Sequence, residues 1–295
     1  MPQISGDQPV RPSLKPDTDP SAILSWHHWP QKWQSIDLTT YRHGALGGEE
    51  AHAWFTEALR KRNPLSLCNM SDADIALWAY RELLTLPEVQ PIWLNRLIHT
   101  TGVTHDHDQF LWPLLDIAYQ ETSTWIIQNP WDIAARLSYC CMKLKGVEIR
   151  DQGFLYHGQL KKKVNCQSIY TFVERGELHA AMSGRRVAVL SGINDPVTES
   201  LKRSGVSVVV SCPFPRSVHS PKLNSIPSIL EGLFQEDWDL LLCSAGGYSP
   251  IFCHYSASRG RQAFDIGSAD GIIATGKRGH AQFTKISVDE VIQSP

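Results

Sequence analysis

Asp72 and Asp74 stand one residue apart in "SDAD", directly after the apolar run Leu65–Cys68. Two carboxylates at that spacing can both turn toward one hard cation such as Mg²⁺ or Mn²⁺, which takes oxygen ligands. A cation held there neutralises a diphosphate leaving group and acts as a Lewis acid. The same letters also spell a helix start. Ser71 lies three residues before Asp74, as in a capping box with Asp in place of the usual Glu or Gln. Asp72 would then favour the helix dipole by about 0.3–1 kcal/mol. Spacing alone leaves the cap and the metal site both open.

Three other stretches carry possible chemistry. In "SAGGY", Ser244–Tyr248, the glycines Gly246 and Gly247 allow a phosphate to approach free amides at a helix start, or serve a tight turn. "SGINDP", Ser191–Pro196, can cradle a nucleotide around Gly192, or be a turn with Asp195 as cap and Pro196 at the first helical position. Asp265 in "QAFDI" and Ser268 and Asp270 in the following "GSADG" are candidates for acceptor binding or for the base that deprotonates an acceptor hydroxyl. The run "HDHD", 105–108, has metal-like letters but no third ligand at a compelling distance. "SWHHWPQKW" near the N-terminus suits stacking on a sugar or base, or docking onto the domain. "GKRGH", 276–280, lacks the spacing of a phosphate loop. No nucleophile elbow and no Ser-His-Asp pattern is visible.

The elements that must position these residues read as an α/β protein. "LSLC", "RVAVL" (Arg186–Leu190), "VSVVV" (Val206–Val210), "DLLLC" (Asp239–Cys243) and "QAFDI" (Gln262–Ile266) are short buried strands. Helices are expected over Glu49–Arg62, Asp72–Leu84, Ile169–Met182, Asp195–Arg203, Ser225–Phe234 and Tyr248–Ser258. Strands alternating with helices predict a doubly wound, mostly parallel, Rossmann-like sheet. Residues 88–145 read as a helical insertion, with helices over Pro91–His99, Asp106–Tyr119 and Asp132–Lys145 and a short strand at Trp125-Ile126-Ile127. Residues 1–20 read as a disordered arm, 21–285 as a single domain, and 286–295 as a tail. In such a sheet ligands bind at the carboxyl ends of the strands, where all four stretches fall.

Composition narrows the function. The formal net charge is −2, and the densest basic group, Lys161-Lys162-Lys163, is short and reads as a solvated helix end. No nucleic-acid surface is expected. Seven cysteines without a CxxC, mostly in apolar runs, suggest buried reduced thiols. No signal peptide and no transmembrane run is legible, so a soluble, cytoplasmic protein is expected. Oligomeric state is not legible.

Two segments resemble a family. Bacterial glycosyltransferases of the GT-D fold carry a strand followed by a motif near R-x-G-D-G-E, and "SLCNMSDADIALW" is similar to it, with Asp72 on the Asp and Asp74 on the Glu. Farther on, "DLLLCSAGGYSPIFCHYSASRGRQAFDIGSADG" is similar to the family's strand–loop–helix–strand text ending in QAxDIGH. The motif arginine is Asn69 here, its glycines are Ser71 and Ala73, and the histidine after "DIG" is Ser268. The resemblance covers about 49–85 and 168–275. It implies a GT-D-like fold and a metal-dependent glycosyltransferase that uses a nucleotide-diphosphate sugar. Asp72 and Asp74 would hold Mn²⁺ or Mg²⁺, and Gly192, Ser244, Gly246 and Gly247 would shape the donor pocket. The acceptor is unspecified. Two alternatives stand beside it: a non-catalytic relative that binds a nucleotide sugar or a partner protein, and a Rossmann-type enzyme using another nucleotide cofactor.

Overall fold

Runs of leucine, valine and isoleucine too short for helices are stable only when covered on both faces, and they set the architecture here. A computed structural model describes residues 35–89, 91–99, 111–127, 132–214 and 222–276, with Trp33, Thr101 and Val103. The 1–20 arm, the 286–295 tail, the 105–108 run, most of "SWHHWPQKW" and residues 277–280 lie outside these described residues.

The strands are β1 (Leu65–Met70), β2 (Thr124–Ile127), β3 (Glu148–Arg150), β4 (Gly153–Tyr156), β5 (Gln159–Asn165), β6 (Arg186–Ser191), β7 (Ser207–Pro213), β8 (Leu240–Ser244) and β9 (Gln262–Asp265). They form one nine-stranded sheet in the order β3-β4-β5-β2-β1-β9-β8-β6-β7. From β5 to β7 every neighbour is parallel, and β3 and β4 add an antiparallel edge. The doubly wound, mostly parallel expectation holds.

Alternation along each strand divides the core. Leu67, Val189 and Phe264 pack with Phe55 and Phe172 from helices Gly48–Arg60 and Gln167–Glu174. Cys68, Trp125 and Leu241 face the other way, against Trp78, Tyr119 and Phe252. Trp78 and Tyr119 stand 4.8 Å apart between ring centroids, and Trp78 and Trp125 5.8 Å.

Three expectations need correction. The three lysines do not end a helix. They lie in β5, and alternation turns Lys161 and Lys163 inward to full burial. Lys163 Nζ donates to the carbonyls of Thr40 (2.8 Å), His43 (3.0 Å) and Arg150, which ties the segment before β1 and the hairpin to the sheet. Burial pushes the Lys163 ammonium down to about 8. Secondly, β3 to β5 form strands that were not expected, and in β5 the inward lysines break the apolar pattern. The short strand expected within the 88–145 helical insertion is β2, which lies between β1 and β5. Finally, two long helices are divided. Asp72–Trp78 and Tyr80–Leu84 meet at Ala79 (φ −91°, ψ 15°). Gln167–Glu174 and Glu177–Ala181 part at Gly176, whose φ of 73° a helix cannot contain. The cysteines are free, six of them buried and Cys212 half-buried. Among the described residues no helix is long and apolar enough to cross a membrane.

Candidate functional site at the carboxyl edge

Neighbouring strands β1 and β9 send their chains to opposite faces. After β1 the chain enters Asp72–Trp78, which packs beside Asp132–Leu144; after β9 it enters Asp270–Thr275, beside Asn194–Arg203. Loops that part in this way mark a topological switch point, where α/β sheets bind ligands. The loops 71–74 and 266–270 border this junction.

On the β1 side the capping box is formed. Ser71 Oγ donates to Asp74 Oδ2 at 2.6 Å and accepts the Asp74 amide at 3.4 Å. Asp72 Oδ1 accepts the Ala73 amide at 3.0 Å. Both acids keep some exposed surface. Burial raises the Asp74 carboxyl to about 6, with Asp72 adding a smaller upward push, and burial raises Asp72 as well.

On the β9 side Asp265 is 3% exposed. Its Oδ2 accepts the Asn69 amide at 3.1 Å and its Oδ1 the Gly267 amide at 3.1 Å. Burial, then Cys243, Asp74 and Cys68, push this carboxyl well above the ordinary range. Asp270 Oδ2 accepts two hydroxyls, Ser191 Oγ at 2.7 Å and Ser244 Oγ at 2.8 Å. One carboxylate thus joins the ends of β6 and β8 to the Asp270–Thr275 helix. Ser268, half-buried, shares a hydrogen bond with Tyr170 Oη at 2.9 Å.

The glycines meet the protein's own backbone. Gly246 has φ +55°, and a Cβ there would lie 2.1 Å from Thr101 O. The Gly247 amide donates to the same carbonyl at 3.0 Å, and a Cβ on Gly247 would lie 2.5 Å from Leu77 Cδ2. In this conformation the amide that a phosphate would use already has a partner. Gly192 lies in the turn after β6, where the Ile193 amide donates to Ser191 Oγ at 3.0 Å.

The predicted residues therefore form two neighbouring groups along one edge. Asp72, Asp74 and Asp265 gather at the β1/β9 junction. Ser244 and Asp270 meet at the β8/β6 junction, beside Gly192. Among the described residues no Lys, Arg or His pairs with Asp72, Asp74 or Asp265. A hollow of about 390 Å³ among Val173, His179, Arg203 and Thr275 is lined by none of the predicted site residues.

Sequence reasoning placed the loops that begin at Asn69 and Ser191 on this edge without giving those two side chains a role, and it missed Tyr170 and Thr101. Thr101 and Tyr170 arrive from distant segments and carried no local mark.

Asp72 and Asp74 offer only hard oxygen donors, which fit Mg²⁺ or Mn²⁺ by chemistry. No group of three or more His, Cys, Asp or Glu side chains arranged to hold a metal occurs among the described residues. The capping bonds engage only Asp72 Oδ1 and Asp74 Oδ2, which leaves one oxygen of each acid for ligation.

A mostly parallel, doubly wound sheet with an acidic switch point defines a Rossmann-type α/β protein of glycosyltransferase-like fold. The family model of the GT-D fold-like domain matches residues 46–273, and the chain belongs to that family. The match runs through the middle segment that the sequence resemblance left uncovered. No curated protein and no solved structure matches the chain.

Proposed function

We propose that the protein is a metal-dependent glycosyltransferase that moves a sugar from a nucleotide-diphosphate donor to an acceptor hydroxyl. The observation that carries this reading is the acidic rim of the β1/β9 junction, which has no basic counterpart among the described residues. When ionised, Asp72 and Asp74 repel each other and any diphosphate, and a divalent cation reverses both effects. Asp72 and Asp74 would hold Mn²⁺ or Mg²⁺, which when bound supplies positive charge against the diphosphate and its leaving oxygen. Asp265 and Asp270 hold the loop ends at fixed separation. Gly192, Ser244, Gly246 and Gly247 border the donor side. Ser268, with exposed surface and a tyrosine hydroxyl beside it, faces the acceptor side better than the more deeply buried Asp265 and Asp270.

A second reading, a non-catalytic binder of a nucleotide sugar or of a partner protein, is favoured by the capping bonds on Asp72 and Asp74 and by the closed Gly247 amide. A thermal-shift screen of nucleotide sugars with and without Mn²⁺, on wild type and Asp72→Asn, tests the site. A donor shift that needs Mn²⁺ and vanishes in the variant is expected; a shift that survives removes the metal site. Mn²⁺-dependent hydrolysis of UDP-glucose or a related donor separates the enzyme from the binder.

A further inference from the structure

Asn69 is 8% exposed, and its side-chain Oδ1 is buried with no hydrogen-bond partner among the described residues. Folded proteins leave few such groups, because an unmet buried acceptor costs about 1–3 kcal/mol. The residue is held firmly in other respects. Its amide is fixed by Asp265, and β1 alternation turns its side chain away from the face that Cys68 and Met70 fill. The loop after β9 is shaped around it. Gly267 has φ +50°, and a Cβ on Gly267 would lie 2.6 Å from Asn69 Nδ2, so a larger residue there would have to displace this carboxamide. The fold thus spends a strand end and a glycine on positioning an amide whose acceptor is unmet, at the switch-point junction.

We infer that the Asn69 carboxamide reads a neutral hydroxyl of the transferred sugar. This rests on the donor reading above and deepens it. A carboxamide carries a donor and an acceptor, and a sugar hydroxyl is both at once, so the two are complementary at either end of the amide. A phosphate oxygen only accepts, so it would leave Oδ1 unmet. A neutral hydroxyl carries no such penalty. An interaction with the sugar alone raises discrimination between donors without tightening the nucleotide, which is how an unpaired buried polar group produces specificity.

Calorimetric titration of Mn²⁺-loaded protein with UDP-glucose and GDP-mannose, each against its bare nucleotide diphosphate, tests the assignment. In Asn69→Ala the affinity for whichever sugar nucleotide binds wild type falls about tenfold, while the matching UDP or GDP is unchanged. Gly267→Ala, which presses a methyl against the carboxamide without removing it, gives the same split and guards against a folding defect peculiar to one variant. Equal losses for sugar nucleotide and bare nucleotide, or no loss for either, overturn the assignment while the donor reading stands. Wild type that binds neither form overturns the donor reading, and the assignment falls with it.

Discussion

Asp265 Oδ2 accepts the backbone amide of Asn69 at 3.1 Å, so the last residue of β9 fastens the strand beside it at the edge where chemistry is expected. The other oxygen holds the Gly267 amide at 3.1 Å. Asp265→Ala strands both amides in a buried setting and should destabilise the fold by about 2–4 kcal/mol. Asp265→Asn keeps an acceptor for one of the two amides but turns an NH₂ donor toward the other, so it should cost less than Asp265→Ala without restoring wild-type stability. Urea midpoints for the two variants check the order; equal losses would mean the hydrogen bonds are not what Asp265 contributes.

The acids of the rim make a pH prediction. The Asp74 carboxyl is raised to about 6 in the folded protein from an ordinary 3.8. Between those values the folded chain binds more protons than the unfolded one. The stability this group contributes is therefore fully present below its unfolded pKa and is lost as pH rises through about 6. Melting curves in a chelator from pH 5 to 7.5 should show this decline, and Asp74→Asn should flatten it. A cation competes with the same proton. The Mn²⁺-induced stabilisation should weaken as pH falls below about 6, and a pH-independent Mn²⁺ effect would place the cation elsewhere.

Gly246 and Thr101 decide whether the Ser244–Tyr248 turn is a closed joint. A Cβ at Gly246 would lie 2.1 Å from Thr101 O, and the φ of +55° is strained for any L side chain. Gly246→Ala should cost about 1–3 kcal/mol by chemical denaturation. Hydrogen exchange at the Gly247 amide should accelerate in the variant, because its bond to Thr101 O would open. A variant as stable as wild type would show that the turn can move away from Thr101, as phosphate binding there requires.

Much of the sheet was legible because its middle strands are buried on both faces. "RVAVL", "DLLLC" and "QAFDI" have no polar face to misread, and each appears as a strand within a residue or two of its expected bounds. β5 was not legible. Lys161 and Lys163 look like surface residues, and their burial is made tolerable by Gln159 Oε1 together with the carbonyls of Gln120, Thr40, His43 and Arg150, most of them far away in sequence. The Asp72–Leu84 helix was legible in type but not in continuity, since its break at Ala79 has no glycine or proline to mark it.

The amino-acid order by itself determined the alternation of strands and helices and the helix start at Ser71–Asp74, because hydrophobic periodicity and capping act over a few residues. It also placed the acids and glycines at strand ends. The tertiary structure alone decided that β1 lies against β9, which brings Asp265 to the Asn69 amide across nearly two hundred residues of chain. It also decided that Gly246 is filled by Thr101, that Asp270 binds two serines, and that the β1 acids share a rim without a basic partner among the described residues. These are long-range pairings, set by how two faces of a sheet are covered, and no local pattern of letters encodes them.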